Sequence, residues 1–481
     1  MTVSKKHGSE SPRVVGRRGL ALAAMGLEAE FTVVVDGEPV KPENVFGSPT
    51  AFVRQPLMHR VGRSYHLPTG GAVYFDTGVI EVATPIIELT RGAPARAGRS
   101  LWESIHFVRD ELDAWQRERG ATVHLGGFST HYNVSFELPD AERRRDRSVE
   151  SLAFALTHIL PFPVMLLASN RRSTGVGARP RGNRVEVTAD FTPDAALMIA
   201  TATLIVGIVR EVMTWRRFTR TELESHGVPI TNGFRPGRHS SRTGWVARHT
   251  CFRENPFLSD IDAAIWDTTD GRRLSLRDMA RQVARVFWPS IRRVGDPFSL
   301  RLIAAVLTGR SPSLLELPDR PLAHERVAEL CRWNDLFPEQ RLSRSRYERV
   351  MLHAIAGDRM RVGRDQWQPV GMRGWSHVIF RRQRDRKRKV WSLDEVLARA
   401  DRWEHGERRR PRRMVRRSRS ETVVPIELAG EREEVVAMER DVSGALVPVI
   451  EPEVPKCAPQ VRRRRDANAD SGTDRADPEL R

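Results

Sequence analysis

The strongest constraint on this chain is a pair of carboxylates set two residues apart inside an apolar run, Gly26-Leu27-Glu28-Ala29-Glu30-Phe31. In an extended strand alternate side chains point to opposite faces, so Glu28 and Glu30 share one face and Leu27, Ala29 and Phe31 the other. Two carboxylates about 7 Å apart, from two residues' rise, repel each other unless a cation lies nearby. Magnesium is the natural candidate, because it prefers hard oxygen ligands and works with nucleotide phosphates. A second segment, Tyr74-Phe75-Asp76 followed by Glu81 and Thr84-Pro85, carries two more acids. Asp76 and Glu81 are an odd number apart, so sharing a face requires a bulge, for which Gly78 is suited.

The pattern recurs twice. In Ser129 to Glu137 the residues His131, Asn133, Ser135 and Glu137 alternate with Tyr132, Val134 and Phe136. In Arg184 to Asp190, Arg184, Glu186, Thr188 and Asp190 alternate with small apolar residues. Four strands with an acidic or polar face predict a sheet lining an active-site cleft, and four solvent-facing strands is the plainer alternative. Glu137 and Asp190 read as structural, closing strand ends or pairing with arginine.

At 481 residues the chain can bury a sizeable core, and its length suggests two or three domains. The formal charge of +18 comes almost wholly from arginine, and no lysine lies between Lys41 and Lys387. That gap excludes P-loop and Schiff-base chemistry from the central region, since both need a lysine. Gly-x-Ser-x-Gly, His-Glu-x-x-His and Cys-x-x-Cys patterns are also missing. Cys251, Cys331 and Cys457 lie far apart, which suits a reducing, cytoplasmic setting. Arg17-Arg18 imitates a twin-arginine signal, yet cleavage after it would cut beside the Glu28 strand, so residues 1–24 read as a disordered basic leader. The longest apolar run, Ala195 to Val209, is shorter than the ~20 residues of a spanning helix. With Thr192-Pro193-Asp194 as a start signal it reads as a buried helix behind the sheet, and no membrane segment is expected.

Three further regions follow. Residues 25–259 alternate strand and helix patterns, among them a helix over Arg99 to Arg119 and an apolar stretch, Leu152 to Leu167, in which Pro161 and Pro163 predict a helix end followed by a turn or strand. Residues 260–403 read as mainly helical, over Leu274 to Phe287, Pro297 to Leu307, Ala323 to Trp333 and Leu393 to Trp403. Residues 404–481 read as an arginine-rich, largely disordered tail, with Val423 to Leu428 and Leu446 to Ile450 as candidate short strands. Arg171 to Gly182 reads as a flexible cationic loop, and Thr231 to Glu254 as a second one. Either could clamp an anion through guanidinium groups or be solvated surface.

Gly26-x-Glu28-x-Glu30, then Gly71-Ala72-x-Tyr74-x-Asp76-x-x-x-x-Glu81-x-x-Thr84-Pro85, then His131-x-Asn133 resemble the carboxylate-amine ligases of the glutamine-synthetase-like superfamily. The likeness is to the ligase that attaches the prokaryotic ubiquitin-like protein Pup, its depupylase relative, and the bacterial glutamate-cysteine ligases. It covers roughly residues 26–90 and 125–215. Val79-Ile80 stands where the Pup enzymes carry His-Pro, and the link from Asp76 to Glu81 is slightly shorter than theirs.

The resemblance implies an α+β fold: a curved antiparallel sheet with one polar concave face, backed by helices, plus a mainly helical C-terminal region. It implies ATP and magnesium on the polar face. Glu28, Glu30 and Glu81 become metal ligands, Asp76 the catalytic base beside the reacting carbonyl, and His131, Asn133, Arg179, Arg184 and Glu186 nucleotide- or substrate-binding residues. The expected reaction phosphorylates a glutamate-like carboxylate and lets an amine displace the phosphate, on small-molecule or protein substrates. An amidohydrolase of the same fold, or a degenerate basic protein whose tail binds nucleic acid or acidic protein electrostatically, are the alternatives.

Overall fold

Apolar residues at every second position make Ala24–Val35 a strand, β1, whose Leu27, Ala29, Phe31 and Val33 are fully buried. The computed structural model describes residues 22–139, 142–239, 243–316 and 344–399, and the backbone alone of 402–404, 438–440 and 446–448. After β1 come β2 (Glu38–Val40), the short helix α1 (Pro42–Val45), β3 (Met58–Val61), β4 (Ser64–His66), β5 (Ala72–Asp76), β6 (Val79–Ala83) and β7 (Ile87–Glu88). Helix α2 (Ala93–Arg119) leads to β8 (Val123–Ser135), then α3 (Val149–Ile159), α4 (Pro161–Ala168), β9 (Val176–Pro180) and β10 (Arg184–Asp190). Helices α5 (Ala195–Val212) and α6 (Arg220–Ser225), strands β11 (Gly237–Arg238) and β12 (Trp245–Ala247), the hairpin β13 (Trp266–Asp267) and β14 (Arg273–Leu274), and helices α7 (Leu276–Val294) and α8 (Pro297–Leu307) complete the first half.

Twelve of these strands form one antiparallel sheet in the order β11-β12-β9-β10-β8-β1-β6-β5-β4-β3, with β2 and β7 also paired to β1. The four strands with polar faces are therefore neighbours at its centre. Helices α2 and α5 cover the apolar face, and α3 covers the β9, β10 and β12 end. In α2 the expected stripe of Leu101, Ile105, Val108 and Leu112 is buried. Glycines let α5 approach closely: a Cβ on Gly98 would stand 2.4 Å from Ile199, and one on Gly207 2.6 Å from the backbone of Ile291 on α7. By length and composition α5 could cross a membrane, but it is largely buried against α2, α4, α7 and α8.

Several local expectations need correction. Asp194, not Thr192, caps α5, its Oδ1 accepting from the Leu197 amide at 2.8 Å, so the helix starts after the proline. Pro161 starts a second helix rather than a turn or strand, and α3 and α4 meet at 65°. A proline at the first helical position costs no hydrogen bond, since that N–H has no partner in the helix anyway. The segment 171–182 is not a flexible loop in its second half. Val176–Pro180 is β9, an internal strand, and β11 and β12 arise within the other expected loop.

The helical region expected beyond residue 260 is present in α7, α8 and the helix Arg346–Ala356, and the chain then adds a sheet that periodicity did not show. Strands β15 (Arg359–Val362), β16 (Asp365–Arg373), β17 (His377–Arg382), β18 (Arg388–Ser392) and β19 (Arg402–Glu404) pair in the antiparallel order β18-β17-β16-β15-β19. Strands β15 to β18 each bury only one or two large apolar residues among arginines, Met360, Trp367, Met372, Val378, Phe380 and Trp391, so the alternation is thin. The helix expected over Leu393 to Trp403 stops at Arg399 and gives way to β19. Buried apolar residues form two clusters, one running from Met25 through Leu315, the other from Tyr347 to Val396 with Met58 of β3. The first passes through residue 260 without a break.

Residues 1–21 of the expected leader, Arg242, the expected helix Ala323–Trp333, Cys331, Cys457, Val423–Leu428 and most of 404–481 lie outside the described residues. Beyond Met414 the described backbone is one antiparallel pair, Met438–Arg440 with Leu446–Pro448.

Candidate active site

Register brings the acids together. On β1, Glu28 lies opposite His131 of β8, and Glu30 lies opposite Ser129 of β8 and Glu81 of β6. Glu81 in turn lies opposite Tyr74 of β5. Residues directly opposite in an antiparallel pair share a face, so six side chains from four strands converge. Asp76 joins them through a chain reversal, not a bulge at Gly78: β5 and β6 form a hairpin with Asp76 opposite Val79. Its two-residue turn, Thr77-Gly78, has positive φ at both positions, 54° and 95°, the twist that suits tight hairpins. The irregularity is in β8, where Phe128 is an extra residue opposite the Glu30–Phe31 step. Bulges of this kind re-aim side chains beside functional sites.

The distances describe one cluster. His131 Nδ1 lies 3.3 Å from Glu28 Oε2 and 3.8 Å from Glu81 Oε1, and its Nε2 lies 3.6 Å from Glu30 Oε1. The Tyr74 hydroxyl donates to Glu81 Oε1 at 2.6 Å, and Ser129 Oγ donates to Glu30 Oε2 at 2.5 Å. Ligand atoms of Glu28, Glu81 and His131 lie within 4.8 Å of one another, and so do those of Glu30, Asp76 and Glu81. Glu28, Glu30, Glu81 and His131 are all buried, and Asp76 is half-buried with Thr77 Oγ1 donating to its Oδ1 at 2.8 Å.

Burial and mutual repulsion split the carboxyls. Burial pushes Glu28 up, but the hydrogen bond and charge of His131, with Arg184 behind them, hold it at about 2. Glu81 is driven well above the usual carboxylate range by burial and then by Glu28. His131 is raised despite burial, because Glu28, Glu30 and Glu186 favour the imidazolium. A site in which burial and repulsion resist ionisation of one acid while three acids favour the imidazolium carries a local excess of negative charge. A divalent cation would relieve that excess; the carboxylate oxygens suit magnesium or manganese, and the single imidazole nitrogen suits manganese better than magnesium.

Of the expected binding residues, His131 lies in the cluster and the other four fall beside it. Asn133 lies opposite Gly26 and Glu186 and accepts from Arg184 Nε at 2.6 Å. Arg179 is buried and ion-paired with Glu186, which Arg181 also grips through Nε at 2.9 Å and Nη2 at 3.3 Å. Burial raises Glu186, but His131 and Arg179 outweigh it and lower its pKa. Arg179 and Arg181 thus share Glu186 as their carboxylate partner. Glu137 pairs with Arg210, and Asp190 accepts from the Asn170 amide at 3.1 Å, both structural contacts.

Three residues at the cluster had no assigned role in the sequence reading. Tyr74 and Ser129 each sit two residues from a chosen site residue, so strand alternation alone could have found them. Arg60 could not be found that way, since it lies on a four-residue strand with no pattern and reaches the site only through the β3-β4-β5 pairing.

No family model and no curated protein matches this chain. Among solved structures it is similar to one from the complex between the prokaryotic ubiquitin-like protein Pup and its ligase PafA. Identity is 11%, the TM-score is 0.38, and the alignment covers 78% of this chain and 89% of the matched one.

Proposed function

We propose that the chain is an ATP- and magnesium-dependent ligase joining a glutamate-like carboxylate to an amine. The supporting observation is the convergence of Glu28, Glu30, Glu81 and His131, with Asp76 at the same cluster. In the proposed reaction a carboxylate oxygen attacks the γ-phosphorus of ATP and ADP leaves. The amine nitrogen then attacks the acyl carbon, phosphate departs, and the amine proton goes to Asp76. Bound magnesium would neutralise charge on the transferring phosphoryl group.

This chain's own residues do the rest. Glu28, Glu30, Glu81 and His131 would hold the ion, and the Tyr74 hydroxyl keeps Glu81 Oε1 oriented toward it. Glu81 and His131 must shed protons for that, so metal affinity rises with pH. Arg184, hydrogen-bonded to Asn133 and acting by its charge on Glu28, would meet phosphoryl oxygens.

The test measures ATP binding with and without magnesium, and ADP release in the presence of pooled amino acids. Glu28→Ala should weaken nucleotide binding. Asp76→Ala should spare binding and cut turnover by roughly a hundredfold or more. Magnesium-independent ATP binding would overturn the reading, and amide hydrolysis without ATP consumption would replace it with the amidohydrolase.

A further inference from the structure

Arg60 stands out among the arginines of the polar face. Its guanidinium carbon lies 5.0 Å from the Tyr74 ring centroid and 4.1 Å from the ring centroid of Trp375, on the turn between β16 and β17 of the second sheet. Its Nε donates to Ser64 Oγ at 2.8 Å. Among the described residues no carboxylate lies within ion-pairing distance of it, whereas Arg179 and Arg181 share Glu186. Arg60 is half-buried, so the missing counter-charge is costly. Burial presses its pKa down, Tyr74, Glu28 and Glu81 press it up, and Arg184 down again, which places Arg60 in the field of the cluster and of the arginine on its far side.

Beneath the stack lies His66, fully buried, edge-on to Trp375 at 5.7 Å and within 3.2 Å of the Gly71 carbonyl through Nδ1. Burial, then Arg60, lower its pKa to about 3, so it stays neutral and adds no third charge. In the sheet order Arg60 on β3 and Arg184 on β10 thus lie on opposite sides of the strands that carry the carboxylates. A planar guanidinium stacked against two aromatic rings keeps its remaining N–H groups in a rigid fork, the shape that grips phosphate oxygens in pairs. Lysine would offer a point charge without that fork.

We propose that Arg60, held by Trp375, binds the polyphosphate oxygens of a nucleotide seated on the carboxylate cluster, so that the second sheet is a working part of the site. The proposal rests on the ligase reading for the identity of the nucleotide, not for the presence of an anion. Arg60 is the binding residue and Trp375 a positioning residue.

The experiment uses the full chain and measures the affinity of magnesium-ATP, magnesium-pyrophosphate, adenosine and L-glutamate for the native protein and for Arg60→Met, Trp375→Ala and Trp375→Phe. Melting temperature and manganese binding report whether each variant keeps its fold and its cluster. Arg60→Met should weaken ATP and pyrophosphate by roughly ten- to a hundredfold, the worth of a charge-assisted pair, while adenosine and manganese binding hold. Trp375→Ala should lose part of the same affinity and Trp375→Phe should recover it, a rescue that a merely structural tryptophan would not show. Unchanged ATP and pyrophosphate affinity in Arg60→Met, or a loss confined to L-glutamate, overturns the proposal. If the native chain binds pyrophosphate through Arg60 but not ATP, the ligase reading fails and the anion site stands.

Discussion

The two faces of β1 make opposite demands on the fold. On one, Leu27, Ala29, Phe31 and Val33 are buried on the face that α2 covers, and Phe31 meets the Phe191 ring edge-on at 5.0 Å. On the other, Glu28 and Glu30 are pressed against Glu81 and His131 with too much negative charge for a buried place. Alternate residues of one strand therefore stabilise and destabilise the same sheet. The apolar face supplies the free energy that lets the polar face keep a strained arrangement of charge, which is how a preorganised site is commonly held.

The largest effect belongs to the apolar face. Phe31→Ala should lower unfolding stability by about 3–5 kcal/mol, read by chemical denaturation, since it opens a cavity in a sealed core. A loss under about 1 kcal/mol would show the core less continuous than the packing indicates. The polar face should respond to magnesium instead. Saturation at about 100 times the dissociation constant should raise stability by about 2.7 kcal/mol, and a melting temperature blind to magnesium would remove the cation from the cluster.

Third comes the repulsion itself. Glu81→Gln keeps the shape while removing an acid whose ionisation the site resists, so without metal it should be neutral or stabilising by about 1 kcal/mol, while magnesium binding falls. The pH dependence has a matching sign. The pKa of Glu81 is raised, so its contribution is full below its unfolded value near 4.5 and is lost as pH rises through the folded one. His131 acts in the same direction from 6.5 upward. Glu28 acts oppositely, stabilising above 4.5 and losing that as pH falls toward about 2. Metal-free protein should thus melt lower as pH rises from mildly acidic to alkaline, and Glu81→Gln should flatten part of that slope. The smallest effect is at the sheet's rim, where Arg210→Ala, breaking the half-exposed pair with Glu137, should cost less than about 1 kcal/mol.

Alternation made the central strands readable. It placed Glu28 and Glu30 on one face and Leu27, Ala29 and Phe31 on the other before any partner strand was known, and did the same for His131 and Asn133. It failed where geometry was set by pairing. Asp76 and Glu81 share a face because a hairpin folds one strand back on the other, and an odd spacing along one strand could only suggest a bulge. The segment 171–182 read as a cationic loop because arginines dominate its composition, yet Arg179 and Arg181 both pair with Glu186 and β9 is an internal strand.

Local chemistry along the chain settled which residues extend, which face each side chain takes, and that acids concentrate on one of them, because those properties depend on backbone geometry and neighbours two residues away. Long-range pairing settled the rest. The register of β1 against β6 and β8 put Glu30 opposite Glu81 and Glu28 opposite His131, and the second sheet brought Trp375 onto Arg60, some 315 residues apart in the chain. Charge and aromatic contacts act over a few ångströms of space, and only the folded arrangement of strands determines which residues those are.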